Sequence, residues 1–314
     1  MFLTMVSVVS VFYRARAYRT LSSFSAQMRI KTYHNQAVSV YDSAFYNTIV
    51  PTSSIQLKPQ EQAMHETGLV LHCNREEDNR VELRWGQESE RYNKEKPFYI
   101  DFDKGPTLRR LKQSHSEAVF KAFGSPDKHD LICDFTAGLG RDASLLAAGG
   151  HTVICFERNV VMYLLLQDAL KRCSSNREVF DRMSLHLLDV TTESNSVQEC
   201  IAATLESKTL QNKDTNASVG VYLDPMYPLN EVGKKAAVKK ETQILHRMVG
   251  QSSSDKTDRA MNDLSLLNTA LTVATSKVVV KRPINAQPLG ERKAQGMITG
   301  STHRFDIYTP NYNM

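Results

Sequence analysis

The sequence predicts an α/β fold, a parallel sheet covered by helices on both faces, preceded by a smaller α+β unit. Three observations carry that expectation. Beyond residue 105, apolar runs of strand length alternate with segments of helical periodicity, the pattern of successive βαβ crossovers. Four carboxylates, Asp134, Glu157, Asp189 and Asp224, each stand at or just past the end of such a run. Between the first strand and the first helix lies Asp134-Phe-Thr-Ala-Gly138-Leu-Gly140-Arg141-Asp142, a turn whose glycines let backbone approach a ligand closely.

Taken in order, residues 1–28 carry Arg14, Arg16 and Arg19 among Ser, Tyr, Phe and Val, with no acid. The apolar stretch Met1–Phe12 comes before the arginines, the reverse of a secretory signal, so the segment reads as a transit peptide for a mitochondrion or plastid. The other reading is a disordered leader on a cytoplasmic protein. Residues 29–104 are polar and irregular, with strand-like pieces at Leu69–His72, Val81–Trp85 and Phe98–Phe102, and read as a small N-terminal α+β domain.

Residues 105–314 form the main domain. Ser116–Phe123 has helical spacing and stops at Gly124, a C-terminal cap. Strands follow at Leu131–Phe135, Thr152–Phe156, Met183–Leu188 and Gly220–Leu223, separated by helices at Asp142–Ala148, Val160–Cys173 and Val197–Leu205. A helix at Leu264–Ala274, a buried strand at Lys277–Lys281 and an alternating strand at His303–Tyr308 complete the pattern. Polar stretches at Ser207–Ser218 and Gln251–Asp258 read as surface loops.

Composition excludes several classes. The net charge of +5 comes from 39 basic and 34 acidic residues, and five of the basic ones precede Asp42, the first acid. The remaining 34 of each sign leave a neutral body, so any basic surface must arise from local clustering. Cysteines 73, 133, 155, 173 and 200 show no Cys-x-x-Cys pair and no metal-ligand spacing with His, so neither a disulfide framework nor a metal site is expected. No apolar run reaches the roughly 18 residues of a membrane span, and no membrane partner is expected.

In an open parallel sheet, ligands bind beyond the carboxyl ends of the strands, where strand order reverses. The four strand-end acids can therefore converge on one crevice, with Glu157 placed to accept from ribose hydroxyls. Gly138-x-Gly140-x-x-Ala143 also fits the dinucleotide pattern of an NAD-dependent oxidoreductase. A pyrophosphate, however, would meet Asp134 and Asp142 on either side of that turn. S-adenosylmethionine has no phosphate and carries a sulfonium and an ammonium, which neighbouring carboxylates favour.

Asp224-Pro225-Met226-Tyr227 closes the argument, because it follows the hydrophobic run Val221-Tyr-Leu223. The exocyclic amine of a nucleobase is a poor nucleophile, its lone pair being delocalised into the ring. A carboxylate and a backbone carbonyl that accept both N–H hydrogens localise and aim that pair, and an aromatic placed next to them can stack on the base.

These residues, with Glu157-Arg158-Asn159, Lys235-Ala-Ala-Val-Lys239-Lys240-Glu241, Val278-Val-Val-Lys281-Arg282-Pro283 and His303-Arg-Phe-Asp-Ile-Tyr308, closely resemble the RsmJ family of small-subunit (16S-type) ribosomal RNA guanine-N2 methyltransferases. The resemblance spans roughly residues 98–308. It implies a Rossmann-like class I S-adenosylmethionine-dependent methyltransferase domain behind the small N-terminal one, acting on small-subunit rRNA or the small ribosomal subunit. It places cofactor contacts on Arg141-Asp142, Glu157-Arg158, Asp189-Val190 and Asp224, beside Asp134, Gly138 and Gly140, and makes Asp224, Pro225 and Tyr227 catalytic. Arg109 and Arg110, Lys234, Lys235, Lys239 and Lys240, and Lys281-Arg282 are the expected RNA phosphate contacts. The alternative from another class is an RNA-binding ribosome-assembly factor with a silent cofactor crevice.

Overall fold

The computed structural model describes residues 28–31, 37–41, 69–74, 80–85, 96–209, 217–225, 256–300 and 302–310. The chain divides into two compact units, Met1–Phe98 and Tyr99–Met314.

In the first unit four strands, β1 (Met28–Lys31), β2 (Ala37–Tyr41), β3 (Leu69–Asn74) and β4 (Arg80–Trp85), pair in chain order. The pairings are antiparallel, parallel and antiparallel in turn. Leu71, Val81, Leu83 and Phe98 are buried, and Glu82 is buried between Arg80 and Arg84. The strand expected over Phe98–Phe102 shrinks to one bridge, Phe98 with Leu83. Its ladder groups are used otherwise: the Ile100 carbonyl accepts from Arg172 at 2.7 Å, and Asp103 N–H donates to its neighbour Asp101 at 2.9 Å.

The second unit begins with helices α1 (Gly105–Leu111) and α2 (Ala118–Phe123). Strands β5 (Leu131–Asp134), β6 (Val153–Glu157), β7 (Met183–Leu187), β8 (Val219–Leu223), β9 (Lys277–Pro283), β10 (Gly296–Thr299) and β11 (His303–Tyr308) form one sheet in the order β10-β11-β9-β8-β5-β6-β7. β5 through β9 are mutually parallel; β11 runs antiparallel to β9 and β10 antiparallel to β11. β5, β6 and β8 are buried along their whole length, which is why they read as continuous apolar runs. Order reverses between β5 and β8, so the crevice lies at the ends of those two strands.

Helices α3 (Arg141–Ala148), α4 (Val160–Arg172), α5 (Arg177–Phe180), α6 (Ser194–Thr209) and α7 (Lys256–Val273) complete the unit. α4 starts where the Asn159 side chain accepts from the amides of Val161 and Met162, and ends on Lys171 and Arg172, which suit the negative end of the helix dipole. Strand alternation sorts the two faces. Cys133, Val221, Leu223, Val278 and Val280 pack with Val197 of α6 and Leu267 of α7 in one core. Asp134, Tyr222 and Glu157 therefore share the opposite face, toward α3 and α4.

α6 and α7 both start earlier than periodicity suggested, so Lys256–Asp258 is helix rather than loop. Polar first turns carry no apolar stripe and so hide a helix start. α1, α5 and β10 are too short to show a period, and the sequence did not reveal them.

Candidate active site

The turn after β5 is built on two left-handed glycines, Gly138 at φ +52° and Gly140 at φ +66°. Only glycine takes that geometry without strain, and a Cβ on Gly140 would also lie 2.6 Å from Leu166 Cδ1. Gly140 caps α3 without a side-chain bond, so Asp142 does not cap its own helix. The turn is tied to its neighbours from both sides. Gly138 N–H donates to Glu157 Oε2 at 2.8 Å, and Asp224 N–H donates to Thr136 Oγ1 at 2.7 Å.

Asp134 is 2% exposed, with Oδ1 accepting from Thr136 N–H at 2.9 Å. Burial, reinforced by the charges of Asp142, Asp224 and Glu157, pushes its carboxyl up to about 8. Asp142, Asp224 and Glu157 thus lie in the electrostatic neighbourhood of Asp134. Glu157 Oε1 accepts from Asn159 N–H at 2.7 Å, and burial raises its pKa although the backbone N–H groups of Asn159, Gly138 and Arg158 and the Arg158 charge oppose the shift.

Asp142 and Asp224 are joined through Lys281. The Lys281 ammonium lies 2.7 Å from Asp142 Oδ2 and 2.9 Å from Asp224 Oδ2, and the Tyr222 hydroxyl donates to Asp142 Oδ2 at 2.6 Å. Burial alone would raise Asp142, but the Lys281 charge, the hydrogen bonds from Lys281 and Tyr222 and the Arg110 charge together outweigh it and hold the carboxyl below its ordinary value. Burial likewise disfavours the Lys281 charge, yet Asp224 and Asp142 prevail and raise its pKa. Burial, with Asp142 next to it, raises the Tyr222 phenol.

The remaining expected contacts are distributed unevenly. Asp189 stands past β7, where its Oδ1 accepts from Thr191 and its Oδ2 is 3.7 Å from the exposed Arg158. Val190 is 4% exposed and packs in the α6/α7 core, so its side chain does not face the crevice. Arg141 is exposed at the first turn of α3. Arg109 is exposed on α1, whereas Arg110 is committed to Glu117 through two bonds of 2.8 and 2.9 Å and reaches Asp142 at 3.9 Å.

Two of the phosphate contacts are corrected. Lys281 is occupied by two carboxylates rather than displayed on an open surface. Arg282, next along β9, points to the opposite face, is 5% exposed, and bonds the Gln287 carbonyl at 2.9 and 2.6 Å. Pro225 is half-buried directly after Asp224. Tyr227, Lys234, Lys235, Lys239 and Lys240 lie outside the described residues. Thr136 and Tyr222 escaped the sequence reading; the only signal was their position, two residues beyond Asp134 and two before Asp224.

A cluster of Asp134, Asp142, Glu157 and Asp224, with the Lys281 ammonium among the four acids, favours a cationic ligand over a pyrophosphate. The donor set fits S-adenosylmethionine better than a dinucleotide. Among the described residues, no group of three ligating side chains could hold a metal ion.

Comparison with known proteins agrees. A family model described as "Putative SAM-dependent methyltransferase" (SAM_MT) matches residues 55–310. The chain is 39% identical over 219 residues to the ribosomal RNA small subunit methyltransferase J of Francisella tularensis subsp. novicida, covering 68% of this chain and 80% of that one. It is 36% identical over 215 residues to the protein of the same name from Coxiella burnetii, covering 68% and 74%. The crystal structure of a SAM-dependent methyltransferase from Neisseria gonorrhoeae matches with a TM-score of 0.55 and 27% identity, over 79% of this chain and 86% of that one. The chain therefore belongs to the SAM_MT family of S-adenosylmethionine-dependent methyltransferases, alongside the ribosomal RNA small subunit methyltransferases J.

Proposed function

We propose that this protein methylates the exocyclic N2 amine of a guanine in small-subunit ribosomal RNA. The observation that carries the reading is Asp224, 38% exposed at its side chain, with Oδ1 free of any hydrogen bond among the described residues, at the switch point of a methyltransferase sheet. Support for the RNA comes from the relatives, which are ribosomal RNA small subunit methyltransferases J.

The residues have separate tasks. Gly138 and Gly140 bring backbone up to the cofactor, Glu157 accepts from its ribose, and Asp134 and Asp189 flank it. Bound S-adenosylmethionine supplies a methyl group on a sulfonium, whose C–S bond breaks as a C–N bond forms, leaving the neutral thioether. Asp224 Oδ1 and the Pro225 carbonyl accept the two amine hydrogens and keep the nitrogen lone pair aimed in line. Tyr227 stacks on the base. The amine becomes cationic on attack and then loses a proton to Asp224 or water, so no strong base is needed. Positioning supplies most of the acceleration. Arg109, with Lys235, Lys239 and Lys240, provides phosphate contacts, and residues 1–28 direct the chain to an organelle.

The test incubates the full chain with tritium-labelled S-adenosylmethionine and small-subunit rRNA, naked or assembled, followed by nucleoside analysis. Label in N2-methylguanosine is the expected result. Label in another nucleoside refutes the guanine assignment, and cofactor binding with no transfer to either substrate favours the silent assembly factor.

A further inference from the structure

We propose that Lys281 is a positioning residue for the reaction: its ammonium fixes the Asp224 carboxylate so that Oδ1 faces the acceptor amine. The inference rests on the assignment of Asp224 as catalytic. It begins with register. Leu223 of β8 pairs with Val280 of β9, so Asp224 and Lys281 are the next residues along two parallel neighbours. Their side chains leave on the same face, and the ammonium meets Asp224 Oδ2 at 2.9 Å.

A flexible lysine would be a poor clamp by itself, because its long stem carries much rotamer freedom. Here the far end is anchored twice. Asp142 Oδ2 holds the same ammonium at 2.7 Å, and Tyr222, 1% exposed, holds that same carboxylate oxygen at 2.6 Å. The chain Tyr222–Asp142–Lys281–Asp224 runs from the buried strand β8 through α3 and β9 to the half-exposed carboxylate. The backbone of Asp224 is fixed separately by Thr136.

Lys281 is in direct contact with the Asp224 carboxylate, whereas Arg110 is turned to Glu117 and Asp142, and Arg282 leaves from the other face of β9. Among the described residues, His303 of β11 and the Tyr222 phenol are further titratable groups around the pair.

The full chain is compared as parent, Lys281→Met, Lys281→Gln and Lys281→Arg, with Asp224→Ala as control, after circular dichroism establishes folding. Methyl transfer is followed with KM measured separately for cofactor and RNA. Both neutral variants are expected to lower kcat on the order of 10²-fold. They should leave the KM for S-adenosylmethionine near that of the parent. Lys281→Arg should restore most of kcat. Lys281→Gln, neutral and shorter than lysine, keeps a polar end group and serves if the methionine variant does not fold. A parental kcat in a folded neutral variant overturns the proposal, as does a loss confined to the KM for RNA or for the cofactor. Turnover retained by Asp224→Ala instead overturns the catalytic reading beneath it, so the two failures are separable.

Discussion

The amide of Gly138 donates to Glu157 Oε2 at 2.8 Å, so the turn after β5 is fastened to the last residue of β6. One carboxylate thereby shapes the glycine turn that the proposed function assigns to the cofactor. Glu157→Gln retains the volume but replaces an acceptor oxygen by an NH2 that opposes a backbone N–H. Hydrogen bonds to charged groups contribute about 1.5–3 kcal/mol, so the KM for S-adenosylmethionine should rise about 10- to 100-fold. RNA affinity, measured by filter binding, should change far less, and equal losses would count against the ribose role.

Asp224→Ala removes the acceptor while leaving Thr136 free to bond the backbone amide. Turnover should fall by about 10²- to 10³-fold or more, as when a preorganised polar group is deleted from a reacting centre. The thermal midpoint should change little, because the side chain is 38% exposed. A folded variant with parental turnover contradicts the assignment.

Asp134 gives a pH dependence with a definite sign. Its folded-state pKa of about 8 exceeds the ordinary aspartate value near 3.8, so between those values the folded chain holds a proton that the unfolded chain has released. Stability from this group is full below the lower value and is lost as pH rises toward 8. Asp134→Asn should flatten that decline in thermal midpoints taken from pH 4 to 9. A bound cation beside Asp134 favours its ionised form, so cofactor binding below pH 8 should release a proton in the parent and not in the variant. Calorimetry in buffers of different ionisation enthalpy measures that release.

Gly140→Ala places a methyl group 2.6 Å from Leu166 Cδ1 at φ +66°. Overpacking and left-handed strain should together cost about 1–3 kcal/mol in urea unfolding. Combining it with Leu166→Ala should give less than the sum of the two losses, since the second change removes the colliding atoms.

The strands of the crevice were legible because burial on both faces writes itself as unbroken apolar runs. β5, β6, β8 and β9 stand close to where periodicity placed them, and the acids at their ends converge as parallel topology requires. Strand alternation, applied to Lys281-Arg282, could also have separated that pair onto opposite faces. Which partner each charge would find was a different matter. Lys281 meets Asp142 across 139 positions of sequence and Asp224 across 57, and Tyr222 meets Asp142 across 80. Val190 turns into the core although it adjoins a strand-end acid.

Local sequence by itself determined the alternating elements, the glycine turn and the placement of carboxylates at strand ends, because those follow from backbone geometry and the burial of neighbouring residues. Tertiary structure alone decided that Lys281 would clamp Asp224 instead of meeting solvent. Strand order and register bring those charges together, and neither is encoded within any single stretch of chain.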